Sequence, residues 1–412
     1  MRKKYIVLYS SARCEVIVLK YEFEQILKPL FLWYECNKRS LPWREDRNPY
    51  KIWVSEIMLQ QTRVEAVKEY YKRFLAELPD IEALANVSTD RLLKLWEGLG
   101  YYNRVKNMQI AARDIMERFD GRFPENYDDI LSLKGIGNYT AGAIASIAFS
   151  LPFPAVDGNV LRVAMRVFAS YEDIAKEKVK KEVTKQLKHA MENTQLFTEW
   201  ERVQEEIGKK TQEESFFGGV NQAFMDLGAT ICIPNGEPLC EKCPLQQMCK
   251  GYKMAKQKGV SIEKELPVKT GKVKRRIENR TVFLLEYDGK IAVHKRDKNG
   301  LLGGLWEYIS TEEHLSVEQV EAMLERNDFP SYEMKLCGEA KHIFSHIEWR
   351  MIGYYIKLSK EERFTDSDFY KELSWVTIAE KKANYAIPSA FRVYDRWIEK
   401  EMCPETKRNR MV

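Results

Sequence analysis

No apolar run in the chain approaches the roughly 20 residues that a helix needs to cross a bilayer, so no membrane anchor is expected. A secretory leader is not expected either. Two lysines precede Tyr5-Ile6-Val7-Leu8-Tyr9, but that run is short for a signal core and no small-x-small cleavage site follows it. Residues 1–20 therefore read as an extension ahead of a domain that begins near Tyr21. No internal repeat is visible, which excludes solenoids and propellers. Charge of one sign is scarce: 66 Lys and Arg against 61 Asp and Glu leave a surplus of +5. A surplus that small is compatible with nucleic acid but does not demand it. The cysteines do not make a disulfide framework either. Of the eight, four fall within residues 232–249, while Cys14, Cys36, Cys337 and Cys403 are scattered. Disulfide scaffolds spread along small chains, whereas a clustered set in a large one points to metal.

What is present describes a folded protein of two or three domains: 412 residues, 44% hydrophobic, 31% charged and 12% aromatic. Up to about residue 250 the periodicity is helical. It predicts helices over 21–39, 50–62, 63–77, 80–86, 89–97, 103–119, 172–193, 199–214 and 219–231, with no persuasive strand. Residues 250–280 turn lysine-rich and end in the basic run KVKRRIENR, which reads as a linker. Beyond it the period changes to that of strands, at Thr281–Tyr287, Ile291–Lys295, Glu348–Leu358 and Leu373–Val376, with Asp288-Gly289 as a hairpin turn. Helical patterns at 316–326 and 389–401 complete a separate α+β domain.

The chain is organised around Leu131 to Val163. There a glycine turn, Lys134-Gly135-Ile136-Gly137, joins two apolar helix-like runs. Both glycines can take positive φ and leave no Cβ in the way of a ligand. Asn138 is placed to cap the following helix, and amides aimed outward at such a start suit a phosphate. Pro152 and Pro154 stop that helix, and Val156-Asp157-Gly158-Asn159 follows. Far upstream, Glu56 is embedded among Trp53, Val54, Ile57, Met58 and Leu59. Desolvation is expected to raise its pKa and keep it protonated as a general acid, while amides keep Asp157 ionised. Two carboxylates so separated suit cleavage of a glycosidic bond through an oxocarbenium-like state. Gln60-Gln61-Thr62 and Gly98-Leu99-Gly100-Tyr101-Tyr102 set amide and aromatic side chains at turns, where they can wedge a duplex open around an extruded base. Finally, Cys232, Cys240, Cys243 and Cys249 are separated by seven, two and five residues. Zinc usually takes two paired knuckles, and only one Cys-x-x-Cys is present. A cubane iron–sulfur cluster, which takes four cysteines from a short irregular loop, is favoured over zinc.

In order, LPWR, WVSEIMLQQT, GLGYYNR, LKGIGNYTAGAI, AVDGNVLRV, the four cysteines and KHIFSH resemble adenine DNA glycosylases of the MutY type over about residues 21–400. The resemblance implies a mainly α helix-hairpin-helix glycosylase domain with a 4Fe-4S module, plus an α+β Nudix-like C-terminal domain. Its implied bounds are 21–250 for the glycosylase domain, with the six-helix part at about 50–145 and the cluster module from 21–49 and 146–250. A basic linker at 251–279, a Nudix-like 8-oxoguanine-recognition domain at 280–400 and a tail at 401–412 follow. The implied activity is removal of adenine mispaired with 8-oxoguanine or guanine in double-stranded DNA, by a cytoplasmic monomer (nucleoid-associated in a bacterium) with no membrane partner.

Carried over by position, Glu56 protonates adenine N7, and Asp157 meets the sugar cation with support from Tyr139 and Asn159. Trp43 and Arg44 line the adenine pocket. Gln61 and Tyr101 contact and part the duplex beside Thr62, and Lys134, Gly135 and Gly137 grip the backbone. Gln222 touches DNA or the pocket, and Phe344, Ser345 and His346 read 8-oxoguanine. The Nudix pattern of glutamates and arginine after Gly303-Gly304 is missing, so no pyrophosphatase activity is expected. Residues 198–219 read as an insertion, and the first cysteine gap is one residue longer than the family pattern. Two other readings stay open: an endonuclease III-like pyrimidine glycosylase and lyase, and a lesion-binding protein without turnover. Against the first, Tyr139 stands where the lyase lysine would be.

Overall fold

In a computed structural model, the described residues are 5–10, 13–18, 21–193, 195, 198, 200–201, 215–271, 275–327, 329, 331–359 and 373–402. The chain divides into two compact units: Met1–Ala85 with Asn107–Gly271, and Asn86–Lys106 with Lys272–Val412.

The first unit opens with a correction. Tyr5–Ser10 (β1) and Arg13–Val18 (β2) form an antiparallel pair in a segment read as a plain extension; its β-branched residues favour extended backbone. The rest is helical: Glu24–Asn37, Pro49–Leu59, Val64–Glu77, Ile81–Asn86, Tyr127–Ser132, Asn138–Phe149, Gly158–Phe168, Glu177–Met191, Phe216–Thr230 and Lys250–Lys258. Local chemistry sets the starts. Asn48, Asn126, Asp157 and Ser215 each accept from a backbone N–H of the first turn. One core gathers Phe23, Leu27, Phe31, Val160, Ala164, Phe224 and Leu227 with Ala255 and Ile262. The expected linker is therefore shorter than 251–279. Lys250–Lys258 packs into this core, and Gly251 lies so close to the Arg166 carbonyl that a Cβ would overlap it. Of the presumed insertion, 199 and 202–214, and with them most of the helix expected over 199–214, lie outside the described residues; Trp200 packs on Phe31 at 6.1 Å and Ser215 caps the next helix.

In the second unit, Arg276–Tyr287 (β3) lies at the centre of a mixed sheet. It runs parallel to Ile347–Leu358 (β8) and antiparallel to Lys290–Lys295 (β4). Tyr332–Ile343 (β7) flanks β8, Trp306–Glu307 (β5) and Leu373–Val376 (β9) flank β4, and Ile309–Thr311 (β6) pairs with β3. The alternation of β3 puts Val282 and Leu284 against Phe391, Tyr394 and Ile398, and Phe283 and Leu285 against Val320 and Leu324. β3 begins at Arg276, inside the basic run read as linker, and β7 was not foreseen. Residues 86–106 were assigned to the helical domain, yet they belong with this unit. Lys94 Nζ donates to Tyr385 O (3.0 Å), Ile387 N donates to Glu97 Oε1 (2.8 Å), and Lys295 pairs with Asp90 (2.6 Å).

Candidate functional site

Glu56 is the one acid of the helix Pro49–Leu59, which is buried almost all round, and only 4% of it is exposed. Burial pushes its pKa up from 4.5 to about 7; the neighbouring Asp157 adds to the rise, while the Tyr139 hydrogen bond and Arg44 oppose it. Tyr139, in the first turn of Asn138–Phe149, donates its hydroxyl to Glu56 Oε2 at 2.8 Å. Burial and the adjacent carboxylates raise this phenol well above its ordinary value, so it stays a donor. Tyr139 thus serves Glu56, where support of Asp157 was expected.

Asp157 caps the helix Gly158–Phe168. Its Oδ1 accepts from the backbone N–H of Asn159 (2.8 Å) and Val160 (2.9 Å), and its Oδ2 accepts from Asn159 Nδ2 (2.7 Å). Asn159 is itself held, since Arg162 Nη2 donates to its Oδ1 at 2.8 Å. Amides at this helix start were expected to keep Asp157 ionised and its pKa apart from that of Glu56. Burial outweighs the hydrogen bonds and the Arg162 charge, and the net shift is upward. Both carboxylates move in the same direction.

These groups face one cavity of about 220 Å³, lined also by Trp43, Arg44, Thr62 and Gln222. That is below the roughly 300–1,000 Å³ of a drug-sized pocket, and it suits a single flat ring system. Trp43 is buried edge-on against Tyr71 at 5.6 Å. Gln222 Oε1 accepts from Tyr34 at 2.7 Å. Arg44 forks onto Asp226, Nη1 to Oδ2 at 2.8 Å and Nη2 to Oδ1 at 3.0 Å. Sequence reasoning missed Asp226, Arg39 and Arg162. Asp226 carried the same signal as Glu56, a lone acid in an apolar run.

Gln61 is exposed at the end of the Glu56 helix with φ at 59°, a left-handed conformation uncommon outside glycine. In the glycine turn only Gly135 has positive φ, at 82°, and a Cβ there would come within 2.7 Å of Asn107 Cβ. Gly137 does not; it is the helix N-cap, at φ −101°, and Asn138 is the first helical residue rather than the cap. No side chain caps that end, and Lys134, Gly135 and Gly137 are exposed.

The remaining expected residues lie in the second unit. Tyr101 is half exposed with φ at 47°, and its hydroxyl lies 3.0 Å from Ser345 Oγ. Ser345 and His346 are exposed at the β7–β8 turn. Phe344 is half-buried against His342 (4.6 Å) and Trp349 (4.9 Å).

Cys232, Cys240, Cys243 and Cys249 line one small cavity in the first unit. Among the described residues no group of three or more His, Cys, Asp or Glu is drawn in tightly enough for a single ion. The donor set nevertheless fits an anionic cluster. Four thiols share an apolar cavity, and Arg166 Nη1 points at Cys232 Sγ from 3.3 Å. Burial, then the neighbouring sulfurs, push Cys240 to about 11 and Cys243 to about 12, so ionising them together needs bound cations. Arg162 bridges this loop to the cleft, with Nε donating to Cys232 O at 2.7 Å and Nη2 to Asn159.

Residues 54–189 match the family of HhH-GPD superfamily base excision DNA repair proteins, and residues 281–394 match the NUDIX domain. An adenine DNA glycosylase of Mus musculus is 32% identical over 418 residues, spanning 89% of this chain and 77% of the relative. One of Buchnera aphidicola subsp. Baizongia pistaciae is 31% identical over 340 residues, spanning 82% of this chain and 87% of the relative. A thermostable thymine-DNA glycosylase structure superposes with a TM-score of 0.46 at 25% identity, over 56% of this chain and 96% of that one.

Proposed function

The chain belongs to the adenine DNA glycosylase family, and from that premise we propose that it removes adenine mispaired with 8-oxoguanine or guanine, by hydrolysis without strand scission. One observation supports this above the others: a buried acid near pKa 7 and a hydrogen-bonded carboxylate share a cavity sized for one base. The adenine leaves the stack and enters the cleft beside Trp43 and Arg44. Glu56 gives its proton to N7 as the C1′–N9 bond breaks, and the bonding pair leaves with the base. Asp157 faces the oxocarbenium ion, held in place by Asn159 and the helix amides. Water adds to C1′ and gives up a proton to the Glu56 carboxylate, leaving an abasic site and the acid reprotonated. A phenol at Tyr139 cannot form the imine that a lyase needs, which favours hydrolysis alone.

The exposed amides at Gly135 and Gly137 suit a backbone phosphate, and Gln61, Thr62 and Tyr101 suit the parted duplex. Phe344 supports a loop whose exposed Ser345 and His346 suit the opposite base, Ser345 exchanging its Tyr101 hydrogen bond for one to that base. Cys232, Cys240, Cys243 and Cys249 would hold a 4Fe-4S cluster, which when bound braces this loop of the first unit. A gel assay tests the reading, with duplexes carrying A opposite 8-oxoguanine, G, C or T, with and without alkali. Expected is alkali-dependent breakage at A opposite 8-oxoguanine and at A:G. Borohydride-trapped, alkali-independent cleavage would move the protein to the lyase group, and binding without breakage would make it a lesion binder.

A further inference from the structure

Two arginines converge on one buried carboxylate behind the wall of the cleft. Asp226, on the helix Phe216–Thr230, is wholly buried. Its Oδ1 accepts from Arg39 Nε (2.7 Å) and Arg44 Nη2 (3.0 Å). Its Oδ2 accepts from Arg44 Nη1 (2.8 Å) and the Arg39 backbone N–H (3.1 Å). Arg44 is clamped further by a bond from Nη1 to the Arg39 carbonyl at 3.2 Å. Arg44 and Arg39 both line the cavity that holds Glu56; Asp226 lies behind them and does not.

We propose that Asp226 is a positioning residue for base excision: it fixes Arg44 in the cleft wall and offsets its charge, so that Glu56 keeps the proton it has to give. This rests on reading Glu56 as the general acid. The groups that face Glu56 are the Tyr139 hydroxyl, the Asp157 carboxylate and the Arg44 guanidinium, with Asp226 and Arg39 behind Arg44. A cation beside a carboxyl favours its ionised form, so an uncompensated Arg44 would strip the acid of its proton near neutral pH. Asp226 is equipped to compensate. Burial works against its ionisation, yet the hydrogen bonds and charges of Arg44 and Arg39 hold its carboxyl below the ordinary aspartate value. It thus stays anionic where Glu56 does not. Arg39 competes for the same oxygens and draws part of that charge away from Arg44.

The test is the pH profile of single-turnover adenine excision from an A:8-oxoguanine duplex. The rate falls on the alkaline side as Glu56 loses its proton. Asp226→Asn should move that limb to lower pH by roughly 0.5–1 unit, and Asp226→Glu should restore it. Arg39→Gln should move it the other way, to higher pH, because Asp226 then serves Arg44 alone. The Arg39 side chain is 27% exposed, so this second variant changes the pair from its solvent side while Arg44 still satisfies Asp226. A merely structural Asp226 would lower rates without moving the limbs in opposite directions. Unmoved limbs, or limbs displaced in the same direction, overturn the proposal. A wild type that excises no adenine would instead sink the functional reading, before any variant is compared.

Discussion

Replacing Tyr139 by Phe removes one hydroxyl from the cleft and tests what sets the acid strength of Glu56. That hydroxyl donates to Glu56 Oε2 at 2.8 Å. It cannot share the proton the other way, because its own pKa lies well above the ordinary tyrosine value. A hydrogen bond to an ionised acceptor contributes about 1.5–3 kcal/mol, and one pKa unit corresponds to about 1.36 kcal/mol. Losing it should therefore raise Glu56 by about 1–2 units from its value of about 7. Burial and Asp157 continue to push upward, and Arg44 alone continues to oppose them. With Glu56 as the proposed general acid, its active form is the protonated one, so activity should persist to higher pH in Tyr139→Phe than in wild type. Single-turnover excision from an A:8-oxoguanine duplex, followed from about pH 5 to about pH 10, gives the alkaline midpoint directly. The acid limb, set by Asp157, should stay put, since all three of its hydrogen bonds come from Asn159 and Val160. A midpoint at or below that of wild type would refute the argument, whatever happens to the plateau rate.

The same burial makes Glu56 a burden on stability. A folded pKa raised from 4.5 to about 7 means stability is lost as pH rises between those values. Glu56→Gln should thus be inactive yet more stable than wild type by about 3 kcal/mol at pH 8, with no gain near pH 4, as read from urea midpoints; equal midpoints at pH 8 would contradict the shift. Ser345→Ala combined with His346→Ala should reduce the preference for A opposite 8-oxoguanine over A:G by about 1–3 kcal/mol, with little change in the single-turnover rate on saturating A:G. Equal loss on both substrates would make the β7–β8 turn a structural element. Cys243→Ser should lose iron and brown colour together and lower Tm by roughly 10 °C. Stoichiometric zinc and no iron in anaerobically purified wild type would reject the cluster.

The helical order of the first unit was legible because its apolar periodicity is strong and its caps and prolines are local signals. The Glu56 helix, expected over 50–62, runs over Pro49–Leu59. Strand β7 was not legible. It lies at the end of the sheet path and none of its residues is fully buried; half-buried and exposed positions alternate, but the bulge between Leu336 and Gly338 shifts the period midway through YEMKLCGEAKHI. The membership of 86–106 was hidden for a different reason. Those residues look like ordinary helix and turn, and only their bonds to Tyr385, Ile387 and Lys295 assign them. Within the site, Glu56 and Asp157 stood out singly, one as an acid in an apolar run and one in a glycine turn. The pairing of Tyr139 with Glu56 did not, because they lie 83 residues apart, and neither did the Arg39–Asp226 pair behind the cleft, whose members lie 187 apart.

The direction of the Asp157 shift shows how local pattern and burial compete. The sequence displays the amide donors of a helix start, and donors lower a carboxyl pKa; the desolvation that opposes them is a property of the packed cleft. What the chemistry requires is an order of ionisation rather than shifts of opposite sign. Asp157 receives three hydrogen bonds and the field of Arg162, while Glu56 receives one hydrogen bond and an Arg44 already paired with Asp226. With desolvation acting on both, these contacts favour the more heavily hydrogen-bonded Asp157 as the anion and Glu56 as the acid, the pairing that cleavage of a glycosidic bond requires.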